Sequence, residues 1–152
     1  MAHADKRQTT MILNENNYIE TINGYSKNDW KSLLDLIPEI ERTDNFGEMK
    51  GGEKNEEGII IMPYWVESTI VSRFHQLVYD LPIVINFDWG SWNEGRKIVN
   101  DKNFNFNSID IPTKCKIITA IVRNDRFCDG ALVSAFESKL ILKILKSIEN
   151  QL

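Results

Sequence analysis

The chain has 152 residues, of which 42% are hydrophobic and 26% are charged. This length and balance predict one globular domain with one core, and they exclude both an intrinsically disordered chain and two domains of ordinary size. The net charge of −4 argues against a general electrostatic attraction to nucleic acids or anionic membranes, and no apolar run approaches the roughly 20 residues that span a bilayer.

The N-terminal residues 1–16 are expected to form a frayed segment, followed by a single globular domain over residues 17–152. The first residues lack the apolar stretch of a signal peptide. The two cysteines, Cys115 and Cys128, form no pair motif, and we expect both to be free thiols. These observations predict a cytoplasmic protein.

Two helices are predicted near the start of the domain. Apolar residues at helical spacing indicate a short helix from Tyr18 and a second helix from about Lys27 to Glu41. Ser26 is expected to be the N-cap of the second helix. Pro38 is expected to end or kink that helix near its last turn.

The glycine- and charge-rich residues 43–58 predict a loop. The β-branched run that follows predicts an extended segment over residues 59–66, in which Pro63 limits the strand to an edge or an end. Ser68 then has the position of an N-cap for a helix that ends near Asp80.

A second extended segment is predicted at residues 83–87, which are too few for a helix. Ser91 and Glu94 have the spacing of a capping box and would open the next helix. Asp110 is expected to cap a further helix that ends near Asp125.

The C-terminal residues 131–152 predict one kinked helix or two short ones. The whole pattern predicts a mostly α-helical fold with a minor β component, a single compact domain of about five or six helices and one or two short extended segments. Six apolar residues on the inward helix faces are expected in the core: Phe74, Leu77, Ile118, Ile121, Phe136 and Ile144.

Three blocks of the sequence stand out: Met62-Pro63-Tyr64, Phe87-Asp88-Trp89 followed by Trp92, and the run 119–127 (TAIVRNDRF) followed by Gly130, Leu132, Glu137 and Ser138. Over about residues 44–148 they resemble an uncharacterised bacterial and phage family, the domain of unknown function 6508. The resemblance implies a single bacterial or mobile-element domain and carries no known activity. Lys139 departs from the family pattern, which has a small residue, often glycine, at this position; the bulkier residue suggests that the last helix continues without a sharp break.

The segment 87–96 holds the first cluster of candidate site residues. Asp88 and Glu94 are candidate catalytic carboxylates, with Trp89 and Trp92 as a stacking wall and Arg96 as a ligand for an anion. The alternative interpretation makes the polar residues helix caps and both tryptophans part of the core.

The segment 123–130 holds the second cluster. Arg123 and Arg126 lie three residues apart at a helix end and are candidate anion ligands, and Asp125 is a third candidate catalytic carboxylate. The alternative is that the arginines satisfy helix-end carbonyl groups and neighbouring acids, while Asp129 caps the next helix. We predict that Asp88 or Glu94 forms an ion pair with one of the two arginines, because unpaired buried charges are costly.

The sequence contains no metal-ligand spacing, nucleotide-binding motif or serine-nucleophile motif, so we expect no metal ion and no cofactor. The leading hypothesis is a small intracellular interaction or regulatory module that binds a protein partner or associates with itself. The first alternative is a hydrolase or transferase acting on a small anionic, phosphate-containing ligand, and whether the chain is an enzyme stays open. The second alternative, nucleic-acid binding through the stripe of Lys139, Lys143 and Lys146, is disfavoured by the net charge, and no membrane association is expected.

Overall fold

The computed structural model describes residues 12–152. Within them lie eight α-helices: α1 (Tyr18–Asn23), α2 (Lys27–Leu34), α3 (Leu36–Arg42), α4 (Thr69–Asp80), α5 (Asn93–Asn100), α6 (Ile111–Asn124), α7 (Ala131–Glu137) and α8 (Leu140–Gln151). Four short strands accompany them: β1 (Leu13–Asn14), β2 (Gly47–Lys50), β3 (Tyr64–Glu67) and β4 (Ile85–Asn86). The mostly α-helical class is confirmed. The helices outnumber the predicted five or six because two of the predicted helical regions are each divided in two. No helix in this part of the chain is both long and apolar enough to cross a membrane.

The strands form two separate two-stranded sheets. β1 pairs with β4 in parallel, and β2 pairs with β3 in an antiparallel ladder. Both extended segments predicted from the sequence therefore contain a strand, but each pairs with a strand that the sequence did not indicate. β1 has two residues only, and β2 lies inside the stretch predicted as a loop, so neither shows the β-branched run that marks a strand.

The break between α2 and α3 falls at Asp35 and not near Pro38. Pro38 lies in the first turn of α3, where backbone N–H groups have no acceptor within the helix. The lack of an N–H in proline therefore costs no hydrogen bond at this position. The N-cap predicted for α2 is confirmed. The hydroxyl of Ser26 accepts a hydrogen bond from the Asp29 N–H at 3.2 Å, and the Asp29 carboxylate accepts one from the Ser26 N–H at 2.8 Å.

Helix α6 runs through the centre of the core. Its residues Cys115, Ile117 and Ile118 are all fully buried, and both cysteines are free, as predicted, with Cys128 exposed. The hydroxyl of Thr119 accepts a hydrogen bond from the Ile85 N–H at 3.1 Å and donates one to the Cys115 carbonyl at 2.8 Å. Because this contact attaches β4 to α6, the chain that leaves β4 continues alongside α6.

The predicted core is largely confirmed. Five of the six residues are buried, and Leu77 is partly buried against the same core: Phe74, Ile118, Ile121, Phe136 and Ile144. The helix phases assigned from the sequence are therefore correct in the helices that carry these residues.

Lys139 corrects the prediction that the last helix continues without a break. Its φ is +68°, in the left-handed region, and it separates α7 from α8. Its N–H donates to the Phe136 carbonyl at 3.0 Å, as in a left-handed helix C-cap. The backbone at this position thus has the conformation that favours the glycine of the family pattern, although lysine occupies it.

We expect Lys139→Gly to raise the free energy of unfolding by about 0.5–1 kcal/mol, because relief of the left-handed strain exceeds the added entropy of the unfolded chain. The matched control is Lys143→Gly, at an exposed lysine inside α8. This substitution should lower the free energy of unfolding by about 1 kcal/mol. Urea denaturation measures both changes. A loss of stability in both variants would contradict the assignment of strain to Lys139.

Candidate functional site

A cavity of about 210 Å³ lies between α5 and α6, next to a short 3₁₀ helix, Trp89–Ser91. We call it the indole pocket. Its lining includes Trp89, Trp92 and Arg96 on one side and Ile117, Ile121 and Asn124 of α6 on the other. The pocket therefore has aromatic walls, an aliphatic floor and one charged group.

Close packing holds the indole of Trp92 in place. The Gly95 Cα lies so near the six-membered part of this indole that a Cβ there would overlap it. The Phe87 ring meets the indole edge-on at 5.6 Å, and the Lys116 ammonium lies over the same indole at 4.7 Å. This ammonium is also 4.6 Å from the centre of the Phe87 ring, so a cation–π contact joins α6 to the segment that carries the pocket wall.

Arg96 is oriented by the backbone of the 3₁₀ helix. One of its terminal nitrogens donates a hydrogen bond to the Gly90 carbonyl. A guanidinium has five N–H donors, so four remain for other partners.

The structure brings three of the predicted ligand-binding residues together. Trp89, Trp92 and Arg96 all line the indole pocket, whereas Arg123 and Arg126 do not. The two clusters do adjoin, since the rings of Trp89 and Phe127 lie 6.0 Å apart. From the second cluster the pocket receives the side chain of Asn124, which the sequence did not single out.

The predicted ion pair between the clusters is wrong. Within residues 12–152, no ion pair joins Asp88 or Glu94 to Arg123 or Arg126. Asp88, Glu94 and Arg126 are exposed and Arg123 is only partly buried. Because water solvates these charges, no desolvation cost forces them to pair.

The predicted capping box at the start of α5 is also wrong. Ser91 belongs to the 3₁₀ helix, and α5 begins after Trp92, whose N–H donates to the Trp89 carbonyl at 3.2 Å. This turn takes Ser91 out of the extended conformation that an N-cap requires.

The aspartates of the second cluster bind backbone groups. The Asp125 carboxylate accepts a hydrogen bond from the Leu132 N–H at 3.0 Å, at the start of α7. Asp129 accepts one from the Trp65 N–H of β3, also at 3.0 Å. Asp125 thus binds the start of α7, the role that the sequence suggested for Asp129. None of the three candidate catalytic carboxylates, Asp88, Glu94 and Asp125, lines the indole pocket.

A second surface, which the sequence did not indicate as a binding surface, is formed by residues 47–67. We call it the hairpin arm: β2 and β3 extend through a bridge between Lys54 and Ile60 to a turn at Gly58. Seven large apolar side chains of the arm are exposed: Met49, Ile59, Ile60, Ile61, Met62, Tyr64 and Val66. Met62 has 80% of its surface exposed. A run of isoleucines signals a buried strand in most sequences, so its exposure could not be foreseen.

The remaining nucleophilic and metal-binding candidates form no site in the described residues. Burial raises the pKa of the Cys115 thiol far above its usual range, which keeps it protonated and unreactive. His75 is partly buried, with its ring 5.8 Å from that of Tyr79. Across residues 12–152, no three His, Cys, Asp or Glu side chains gather as metal ligands would. His3 lies outside the described residues.

Comparison with known proteins identifies one family. A model of a family of unknown function, DUF6508, matches residues 25–152, a longer region than the blocks noted in the sequence. No curated protein and no solved structure matches the chain.

Proposed function

This chain belongs to the DUF6508 family of unknown function, and we propose that it acts as a self-associating interaction module whose hairpin arm forms the contact between two copies. The observation that carries the proposal is the exposure of seven large apolar side chains on that one arm. Exposed apolar patches of this kind mark interaction surfaces in soluble proteins. The proposal includes a reducing, cytoplasmic location in a bacterial or mobile-element host, where an exposed thiol such as that of Cys128 persists.

The exposed residues lie on both faces of the arm. Successive residues of an extended segment point to opposite sides, and each of the consecutive residues Ile59, Ile60, Ile61 and Met62 is at least half exposed, the lowest value being 54%. A ribbon that is apolar on both faces needs a partner that covers both. A second copy of the arm provides a surface of the same kind.

The backbone of β2 offers a way to align two copies. Trp65 donates its N–H to Asp129, away from β2, and Met49 is its partner in the ladder. In an antiparallel ladder the N–H and C=O of both residues in such a pair point outward. The N–H and C=O of Met49 therefore point to the outer edge of β2, where no residue of 12–152 pairs with them. The same edge of a second copy can pair with them about a two-fold axis.

The base of the arm is fixed to the helical domain, so the arm forms a defined surface. The Ser68 N–H donates to the Phe46 carbonyl at 2.9 Å and closes the base of the arm. The indole of Trp65 packs directly on Gly130 at the start of α7 and so joins the arm to the helices. The φ of Gly130 is +86°, a conformation that suits glycine. Its lack of a Cβ also leaves the room that the indole fills.

The test compares the full chain with the double variant Ile60→Ser/Met62→Ser in sedimentation equilibrium at micromolar to millimolar concentrations. We expect the wild-type chain to have twice the mass of one chain and the variant to have the mass of one. Both positions are exposed, so the free energy of unfolding should change by less than about 0.5 kcal/mol per site.

The matched control is Ile19→Ser, which removes an isoleucine that is 49% exposed on α1, outside the arm. It should dimerise like the wild-type chain. A monomeric wild-type chain throughout the concentration range, or a double variant that still dimerises, would refute the proposal.

A further inference from the structure

We infer that the indole pocket binds a small aromatic carboxylate, a single six-membered ring bearing one carboxylate group. This site is separate from the hairpin arm, and the inference does not depend on the proposed self-association. It rests on the size of the pocket, on its walls and on the one charge that lines it.

The pocket has the size of one ring with one substituent. Its volume is about 210 Å³, and an apolar protein cavity of about 150 Å³ is known to bind benzene. The floor formed by Ile117 and Ile121 is buried, whereas Trp89 and Trp92 are partly exposed. Val99 and Ala120 also line the pocket and retain accessible surface, so a ring that enters past the indoles can lie against these aliphatic side chains.

The walls favour a planar ligand. The indole of Trp92 is held by Gly95 on one side and by the Phe87 ring and the Lys116 ammonium elsewhere. A rigid indole forms an aromatic wall that contacts a ligand without the loss of side-chain entropy that a mobile group would incur on binding. A second indole, from Trp89, completes the aromatic part of the lining.

The positive charge of Arg96 in the lining favours an anionic ligand. Among the described residues, Arg96 is the only charged one that lines the pocket, and its polar companions there are the amides of Asn100 and Asn124. Gly90 accepts one N–H of the guanidinium, and the remaining donors have the planar fork geometry that suits the two oxygens of a carboxylate. A lining with one cation and no carboxylate leaves an acidic ligand as the complementary partner.

The same lining disfavours a phosphate ester. Phosphate sites combine several cations or a series of backbone N–H groups, and this pocket offers one arginine beside an aliphatic floor. Benzoate is therefore the probe of choice, with inorganic phosphate, benzamide and cyclohexanecarboxylate as comparison ligands.

The experiment is an NMR titration that follows the backbone and indole N–H signals of the full chain. Benzoate should shift the signals of Trp89 and Trp92 in a saturable manner. Benzamide, which lacks the charge, and cyclohexanecarboxylate, which lacks the flat ring, should each bind about tenfold more weakly. Inorganic phosphate should cause no saturable shift at these indoles.

Two variants with a matched control locate the site. Arg96→Gln should weaken benzoate binding about tenfold. Lys97→Gln removes the same charge from an exposed neighbour on α5 that does not line the pocket, and it should leave the affinity unchanged. Ala120→Leu fills the pocket from α6 and should abolish binding, while the backbone signals of the folded chain persist.

Three results would overturn the inference. The first is the absence of saturable shifts at the two indoles with benzoate. The second is an equal loss of affinity in Arg96→Gln and Lys97→Gln, which would show a general effect of net charge. The third is inorganic phosphate that binds at the indoles as tightly as benzoate, which would show an anion site without preference for the ring.

Discussion

Replacing Phe136 by alanine is expected to lower the free energy of unfolding by about 3–5 kcal/mol. The Phe136 side chain on α7 is 1% exposed. Its ring meets that of Phe74 edge-on at 5.3 Å and lies 5.4 Å from that of Phe46. Alanine would leave a cavity where α7, α4 and the segment before β2 meet, and the two remaining rings would lose their shared partner.

Urea denaturation of Phe136→Ala and Phe127→Ala measures this effect with an internal comparison. Phe127 is the same residue type nine positions earlier, but it is 80% exposed, and its only ring contact within the described residues is with Trp89. Its removal should change the free energy of unfolding by less than about 1 kcal/mol. Similar losses in the two variants would show that α7 is not part of the cooperative core.

The sequence was sufficient where a local pattern determines the structure. Helical spacing placed Phe74 and Phe136 in the core, and the Ser26 cap follows from the residue type and its position before an apolar helix. Asp110 likewise accepts a hydrogen bond from the Thr113 N–H at 2.9 Å, as expected of an N-cap. In each of these cases the determining contacts lie within four residues along the chain or repeat with the helical period.

The sequence was insufficient to predict the structure where contacts between residues far apart in the chain determine it. Asp129 has the position of a helix cap, yet it binds the N–H of Trp65, 64 residues away. The pairing of β1 with β4 joins segments about 70 residues apart, and a two-residue strand has no period to detect.

The candidate site shows the same division. The tryptophans and Arg96 were singled out by residue type, because aromatic and guanidinium groups bind ligands. The pocket brings these residues next to Asn124 of α6. This proximity depends on the hydrogen bond between Thr119 and Ile85, which holds β4 against α6. The prediction of an ion pair was wrong because two segments can lie close together while their charged side chains stay in water. Only charges that are removed from water need a partner.

Lys114 lies on α6 as a buried amine. The residue is fully buried, and its ammonium nitrogen donates a hydrogen bond to the Gln151 side-chain oxygen at 2.6 Å. Burial lowers the pKa of Lys114 from 10.5 to about 8, although Asp110 and Cys115 act in the opposite direction. The folded chain therefore releases this proton at a lower pH than the unfolded chain does.

The free energy of unfolding is expected to rise by about 2 kcal/mol on account of Lys114 as the pH increases from about 8 to 10.5, because over this range the unfolded state binds more protons. The full difference between the two pKa values corresponds to about 3 kcal/mol. Its hydrogen-bond partner Gln151 is exposed, and solvent screening reduces the effect. Below pH 8 both states are protonated, and the cost of burying the ammonium is fully present.

Urea denaturation from pH 7 to 10.5 in a reducing buffer, for the wild-type chain and Lys114→Met, isolates this group because the other titrating residues are common to both proteins. The stability of the wild-type chain relative to Lys114→Met should increase with pH, since methionine has no proton to release. Lys114→Arg is the matched control, because arginine keeps its charge throughout this range; its stability relative to Lys114→Met should stay constant. Parallel curves for the wild-type chain and Lys114→Met would mean that the amine is solvated in the folded protein. That result would contradict the hydrogen bond between Lys114 and Gln151, which joins α6 to the end of α8 in the structure.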